Sequence, residues 1–345
     1  MKRPTINDLA DAAGVSRATV NRILSGGAKV RQPTVDRVID AAEEIGFYGL
    51  GALRSRASAR KTTYKLGFLL LQRSRPFYQN IYASLKAANK EFDHFRVELE
   101  VEFLDDSTPQ IVAAGILSLA ERVDAIAVVA PQHPEITTAI ETVRENNKPV
   151  FGLLSPLSVS NSAIGYVGLD NWKVGRMAAW MTDRWCTNSN KKSIAIFVGN
   201  HRFRGQDIKE SGYRTFFREH QSELKFLEPV STYESALVAH DQTIQLFKKF
   251  DDIAAIYIAG GGISGVIEAL EELELPEKPF VIGHELTDST RKGLMNGQLD
   301  VCITTPLEQL SKTAIETMIH ALKNGDDLSS ANVRLPFEIY TSENI

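Results

Sequence analysis

Residues 5–24 read TINDLADAAGVSRATVNRIL. Ile6, Leu9, Ala10 and Ala13 fall at i, i+3, i+4 and i+7, one face of a helix, and Thr5 with Asp8 three residues on has the form of a capping box. Gly14 supplies the stop. Ser16 caps a second helix whose Val20, Ile23 and Leu24 form an apolar face before Ser25-Gly26-Gly27 ends it. The spacing therefore predicts two helices meeting across Gly14-Val15. A third, opening near Pro33, buries Val35, Val38, Ile39, Ala42 and Ile45 against them. The second helix is polar where it begins and apolar behind, which is what a helix reading base edges with its first turn requires.

Its exposed residues sort by chemistry. Arg17 can offer a bidentate fork to guanine, Asn21 can read adenine, and the Ala18 methyl can touch thymine. Thr5, Ser16, Thr19, Arg22, Lys29, Arg31 and Thr34 are placed for phosphates, which fix register and make affinity fall with salt. Charge supports this division. The chain carries −4 overall, but residues 1–61 carry +5 and the remainder −9, so a basic head precedes an acidic body.

Beyond the head, residues 49–63 (GLGALRSRASARKTT) have little to pack and read as a linker. From Tyr64 short apolar runs alternate with amphipathic stretches. Strands are expected over 65–71, 97–104, 124–130, 149–154, 193–199, 224–230, 254–260, 279–285 and 301–305, with helices between them that include 78–92, 174–185, 235–250 and 263–274. Near-continuous apolar strands imply parallel sheets covered on both faces. The alternation runs twice, with a junction near 163–172, so the fold class expected is a helix-turn-helix head followed by an α/β core of two doubly wound parallel-sheet lobes with a cleft between them.

The order T-I-x-D-x-A-x-x-A-G-V-S-x-x-T-V-x-R-x-L, with Val30, Thr34 and a linker into βα repeats, resembles the lactose-repressor (LacI/GalR) family of bacterial transcription regulators. The resemblance implies a DNA-binding domain over 1–48, a hinge over 49–63 and a core over 64–345 resembling periplasmic sugar-binding proteins. In that core the N-lobe is expected from 64–170 and 306–325 and the C-lobe from 171–305 and 326–345. By resemblance Arg17 and Ala18 hold the main base-reading positions, Arg22 also reaches a base, and Asn21 replaces the family's usual Ser. The hinge departs from the family pattern, with Gly49, Leu50, Leu53 and Arg56 where a Pro-Asn start, an Ala and a wedging Leu are usual. Either Leu53 wedges into the minor groove or Arg56 reads its negative potential, and a plain basic tether is the alternative.

Loops after strand carboxyl ends supply the ligand candidates. Arg75, Phe77 and Tyr78 follow the first strand, where sugar-binding relatives place a polar residue and two aromatics. His133 follows the third. Asp170 resembles an acid of the family's crossover, with a helix cap as the equal reading. Arg202, Arg204 and Lys209 occupy the segment from which relatives supply an effector-binding Arg, Glu285 stands where many carry an acid for sugar hydroxyls, and Thr305 ends the last crossover strand. Carboxylates and Arg forks suit a polyol, and the cations favour a sugar acid.

Gly260, Gly262 and Gly265 spell GxGxxG after a strand, with Glu285 twenty residues beyond Gly265. A cytosolic NAD-dependent oxidoreductase is therefore the rival reading. The motif lies deep in the second lobe rather than opening a domain, which favours close backbone approach to an effector at Gly261. No Walker A, HExxH or GxSxG pattern occurs, so no enzyme, cofactor or metal is expected. The chain has 345 residues, 43% of them apolar, and two cysteines, Cys186 and Cys302. Without a signal peptide or spanning segment, a cytoplasmic protein with no membrane partner is expected. Its partners would be double-stranded operator DNA, a small sugar or sugar-acid effector and a second copy of itself.

Overall fold

A computed structural model describes residues 3–25, 30–53, 62–92, 95–160, 163–325, 328 and 331–345. Lys29 and Arg56 lie outside the described residues. The chain divides into two compact units, Met1–Tyr64 with Phe92–Glu98 and Lys65–Glu91 with Leu99–Ile345.

In the first unit α1 (Ile6–Ala12) opens with the expected capping box. Thr5 N donates to Asp8 Oδ2 at 2.7 Å and Asp8 N to Thr5 Oγ1 at 3.4 Å. Gly14 turns the chain at φ +61°, and Ser16 Oγ accepts from Thr19 N at 3.2 Å at the start of α2 (Arg17–Ser25). With α3 (Gln32–Glu44) these helices enclose Leu9, Val20, Ile23, Val35 and Val38. Residues 50–53 form one more helical turn, and Leu53 is fully buried in the same cluster. That corrects the expectation of a free apolar wedge. Burying a Leu side chain stabilises by about 1.5–3 kcal/mol, which a groove contact by Leu53 would have to replace.

The second unit holds two sheets. The first lobe alternates β1 (Thr63–Leu71), α4 (Pro76–Asn89), β2 (Arg96–Leu104), α5 (Pro109–Arg122), β3 (Ala125–Val128), α6 (Pro134–Glu145), β4 (Val150–Leu153) and β5 (Gly165–Leu169). The second continues with α7 (Asn171–Cys186), β6 (Ser193–Val198), α8 (Arg204–His220), β7 (Lys225–Phe226), β8 (Val230–Ser231), α9 (Ala236–Lys249), β9 (Ile253–Ile258), α10 (Ile263–Glu272), β10 (Phe280–His284), α11 (Asp288–Asn296) and β11 (Val301–Thr304). The chain then returns through α12 (Leu307–Lys323), which packs on α4, to β12 (Asn332–Leu335) and β13 (Glu338–Tyr340). Strand order is β12-β5-β4-β3-β1-β2 in the six-stranded sheet and β13-β11-β10-β9-β6-β7 in the seven-stranded one, where β8 also pairs β6. Aliphatic side chains fill each lobe, Ile116, Ile126, Val128 and Ile140 in the first and Ile256, Ile258, Val266 and Val281 in the second.

Two differences from the expected layout share one cause. The segment 326–345 does not belong wholly to the second lobe, because β12 pairs with β5 in the first sheet and only β13 joins β11 in the second. Pro336 separates them, and a residue without an N–H interrupts a ladder. Likewise the strand expected over 224–230 is two short ones flanking Pro229. The unforeseen β5 contains Gly165 and Gly168, whose weak strand preference concealed it.

Helices α7 and α8 approach closely because Gly175 and Gly212 lack side chains. A Cβ on Gly175 would overlap the Lys209 carbonyl oxygen, and one on Gly212 would stand 2.5 Å from that of Trp172. Gly175→Ala is expected to lower unfolding stability by roughly 1–3 kcal/mol through overpacking, measured by urea denaturation.

Candidate functional site

Parallel strands deliver their following loops to one end of a sheet, and here both sheets aim that end at a shared cleft. The resulting cavity of ≈330 Å³ is lined by Arg75, Phe77 and Tyr78 after β1, Asn171 after β5, Phe203, Gly205, Gln206 and Lys209 after β6, Glu234 after β8, Gly260 to Ser264 after β9, His284 and Glu285 at the end of β10, and Thr305 after β11. Of the ligand candidates, the structure brings Arg75, Phe77, Tyr78, Lys209, Gly261, Glu285 and Thr305 together. It does not bring the other four. His133 caps α6, its Nδ1 accepting from Glu135 N at 3.3 Å. Asp170 caps α7, accepting from Lys173 N at 3.2 Å, and its carboxylate lies 3.5 Å from Arg334. Arg202 and Arg204 flank the buried Phe203, and since Phe203, Gly205 and Gln206 turn to the cavity, neither arginine lines it.

The centre of the cleft is an ionic junction that the sequence did not announce. Glu234 Oε2 accepts from Arg75 Nη1 at 2.6 Å, joining the lobes, and its Oε1 accepts from Gln206 Nε2 at 2.6 Å. Gln206 Oε1 in turn accepts from Gly199 N at 2.9 Å and Asn200 N at 3.1 Å. Tyr233 and Glu234 both adopt left-handed backbone, φ +51° and +61°, a conformation that costs non-glycine residues about 1–3 kcal/mol each and persists where surroundings impose it.

This junction explains the glycines. A Cβ on Gly260 would strike Gln206 Oε1, one on Gly261 would strike Glu234 and stand 2.6 Å from Arg75 Nη2, and one on Gly265 would strike the Ala236 carbonyl of the neighbouring helix. Gly262, at φ +98°, starts α10. Protein groups, one of them a carboxylate, thus stand where a pyrophosphate would have to lie, which argues against the dinucleotide reading.

On the facing side Glu285, at φ +68°, accepts from Thr305 Oγ1 at 2.9 Å and Thr305 N at 3.3 Å. Burial raises its pKa against the opposing pull of Lys209 and Thr305. Burial lowers that of Lys209, which Glu285 and Glu234 oppose without either touching it. His284 Nδ1 lies 3.2 Å from the Ile303 carbonyl and its Nε2 3.0 Å from Tyr257 Oη. A carbonyl only accepts, so Nδ1 carries the proton and Nε2 accepts from Tyr257. Burial, with Lys209 nearby, holds His284 well below the usual imidazole range and therefore neutral.

Sequence reasoning missed Glu234, Gln206, Ser155, His284 and Ser289. His284 adjoined the candidate Glu285, and Gln206 lay between the candidates Arg204 and Lys209. Among the described residues no group of three or more His, Cys, Asp or Glu is placed to hold a metal ion.

In the head, Ser16, Arg17, Ala18, Asn21 and Arg22 are exposed on α2 while Val20 and Ile23 are buried beneath them. Thr5 and Arg31 are also exposed, and Thr19 and Thr34 are half-buried. Residues 5–49 match the family described as bacterial regulatory proteins, lacI family, and residues 66–327 match a periplasmic binding protein domain. The chain belongs to the lacI family. This lacI-family protein is a DNA-binding transcriptional regulator. It is 24% identical over 348 residues to the catabolite control protein A of Priestia megaterium, covering 97% of each chain. To the sucrose operon repressor of Pediococcus pentosaceus it is 22% identical over 345 residues, covering 98% of each. The fold of its core is that of GanP, a glucose-galactose binding protein from Geobacillus stearothermophilus, with a TM-score of 0.71, 18% identity and coverage of 83% of this chain and 99% of that one. No described helix of the regulator is long and apolar enough to cross a membrane.

Two outcomes are expected. A double-mutant cycle on Arg75→Gln and Glu234→Gln, read by urea unfolding, yields a favourable coupling of about 0.5–3 kcal/mol. His284 is neutral when folded, whereas the unfolded chain takes up its proton as pH falls through about 6.5, so this group removes stability below that pH. His284→Gln reduces the fall in stability between pH 7.5 and 5.5, where one proton changes it by about 1.4 kcal/mol per pH unit.

Proposed function

We propose that the regulator is a repressor whose two copies bind a near-palindromic operator and whose affinity is set by a sugar or sugar-acid effector in the cleft. The observation that carries this reading is the coexistence in one chain of an α2 whose Arg17, Ala18 and Asn21 are free at its surface and a cleft walled by Arg75, Lys209, Glu234 and Glu285. Helices of this kind lay their first turn along base edges in the major groove, and a two-fold dimer presents two of them about one helical turn apart. Arg17, Ala18 and Asn21 read bases, and Thr5, Ser16, Thr19, Arg22, Lys29, Arg31 and Thr34 hold phosphates. The sugar class is supported by the charged and aromatic side chains that line the cleft together, by the fold shared with a glucose-galactose binding protein and by a relative named for the sucrose operon. An effector that binds one arrangement of the lobes more tightly shifts the population toward it, and coupling to DNA of about 1–3 kcal/mol follows from that difference.

Selection from a random duplex library about 20 bp long is expected to enrich an inverted repeat, and enrichment of no sequence counts against the reading. On the enriched operator, Arg17→Ala loses about 1–3 kcal/mol of discrimination with little change in salt dependence. Arg31→Ala weakens all sequences alike and reduces the salt slope by about 1. Equal behaviour of the two variants would overturn this sorting of contacts.

A further inference from the structure

Four charged side chains line the cleft, and three of them already have partners on the protein. Arg75 and Glu234 neutralise each other at 2.6 Å, and both oxygens of Glu234 are engaged, Oε2 by Arg75 and Oε1 by Gln206. Both oxygens of Glu285 are engaged by Thr305. Lys209 differs. It lines the cavity, yet among the described residues no acceptor lies within hydrogen-bond or ion-pair distance of its ammonium, and Glu234 and Glu285 act on it only through space. A half-buried ammonium facing a cavity with no contacting partner on the protein has its charge left for whatever enters that cavity.

The backbone adds positive potential at the same place. The first turns of α4, α7, α8, α10 and α11 all contribute residues to the cavity wall, and the caps of α4, α8 and α10 make no side-chain hydrogen bond. Helix N-termini carry roughly half a positive charge each and favour anions. A further polar group is also unspent: Ser289 Oγ, in the first turn of α11, is buried against the cavity without a hydrogen-bond partner.

We propose that the effector is an anionic polyol of about one sugar ring, whose negative group is received by Lys209 and whose hydroxyls meet Ser289, Asn171 and the Glu285 carboxylate. This rests on the reading of the cleft as the effector site. A neutral sugar would give Lys209 a hydrogen bond but leave its charge uncompensated. A carboxylate or a phosphate does both, and charge-assisted bonds are about twice as strong as neutral ones. Lys209 is then a specificity-determining residue. The cavity of ≈330 Å³ is at the small end of ligand sites.

The test is calorimetric titration of the full-length protein, its Lys209→Gln variant and its Lys209→Arg variant. The probes are D-glucose, D-gluconate and D-glucose 6-phosphate, the corresponding galactose series, D-glucuronate and D-galacturonate, and inorganic phosphate, all at fixed ionic strength. At least one anionic probe is expected to bind wild type about tenfold or more tightly than its neutral parent. That preference falls about tenfold in Lys209→Gln and survives in Lys209→Arg. Preference for the carboxylate or the phosphate member identifies the source of the charge. Unliganded Lys209→Gln is expected to melt no lower than wild type, since it removes a charge that lacks a contacting partner. Neutral parents binding as tightly as their anions, or Lys209→Gln binding anions like wild type, would overturn the proposal while leaving the cleft as the effector site. Binding of no probe, neutral or anionic, would count against both.

Discussion

The Glu234 carboxylate is the point on which the cleft depends. It joins the lobes through Arg75, orients Gln206, and through them fixes what can stand at positions 199, 260 and 261, where a side chain would collide with the junction. Because the pair is shielded from solvent on most sides, each charge relies on the other, and removing one leaves the partner without compensation in a region of low polarity. The same interaction sets the electrostatics of everything around it. With Arg75 and Glu234 paired to each other, Lys209 and Glu285 are the remaining charged side chains on the cavity wall among the described residues.

The lobes are not independent bodies that happen to touch. Strands β5, β11 and β12 each hand the chain from one sheet to the other, and α12 rests on α4 although it follows a strand of the second lobe. Glu285 and Glu234, both held in left-handed backbone at the ends of their strands, show that the loops are shaped for the cleft at the expense of local preference. A rotation of one lobe against the other would change the geometry of the Arg75–Glu234 junction, which spans them.

What could be read in advance follows from the range of the interactions involved. Capping boxes, helix stripes and apolar strands are local, so Thr5 with Asp8, the stripe through Val20 and Ile23, and runs such as 193–199 were legible from neighbouring residues. Lys209 and Glu285 were reached through the family resemblance, which marks the segment after β6 and the end of β10 as ligand-contacting. Glu234 was not, because its meaning comes from Arg75, 159 positions away, with the elements from α4 to β8 between them. Arg202 and Arg204 were expected at the cleft because relatives supply an Arg from that segment, but with Phe203 buried it is Phe203, Gly205 and Gln206 that face the cavity. The glycines at 260, 262 and 265 were visible as a spacing, while the close approaches at 260, 261 and 265 lay in Gln206, Glu234 and Ala236.

Only Pro336 and Phe337 separate β12 in one sheet from β13 in the other. Three Cα steps reach about 10 Å at full stretch, so at this edge the sheets stay tethered through any rearrangement. Proline adds stiffness by fixing one of the few dihedrals available there. Such a link behaves as the pin of a pair of tongs. If the sheets pivoted about it, displacement would grow with distance from the pin and be greatest at the edges opposite the carboxy-terminal strands.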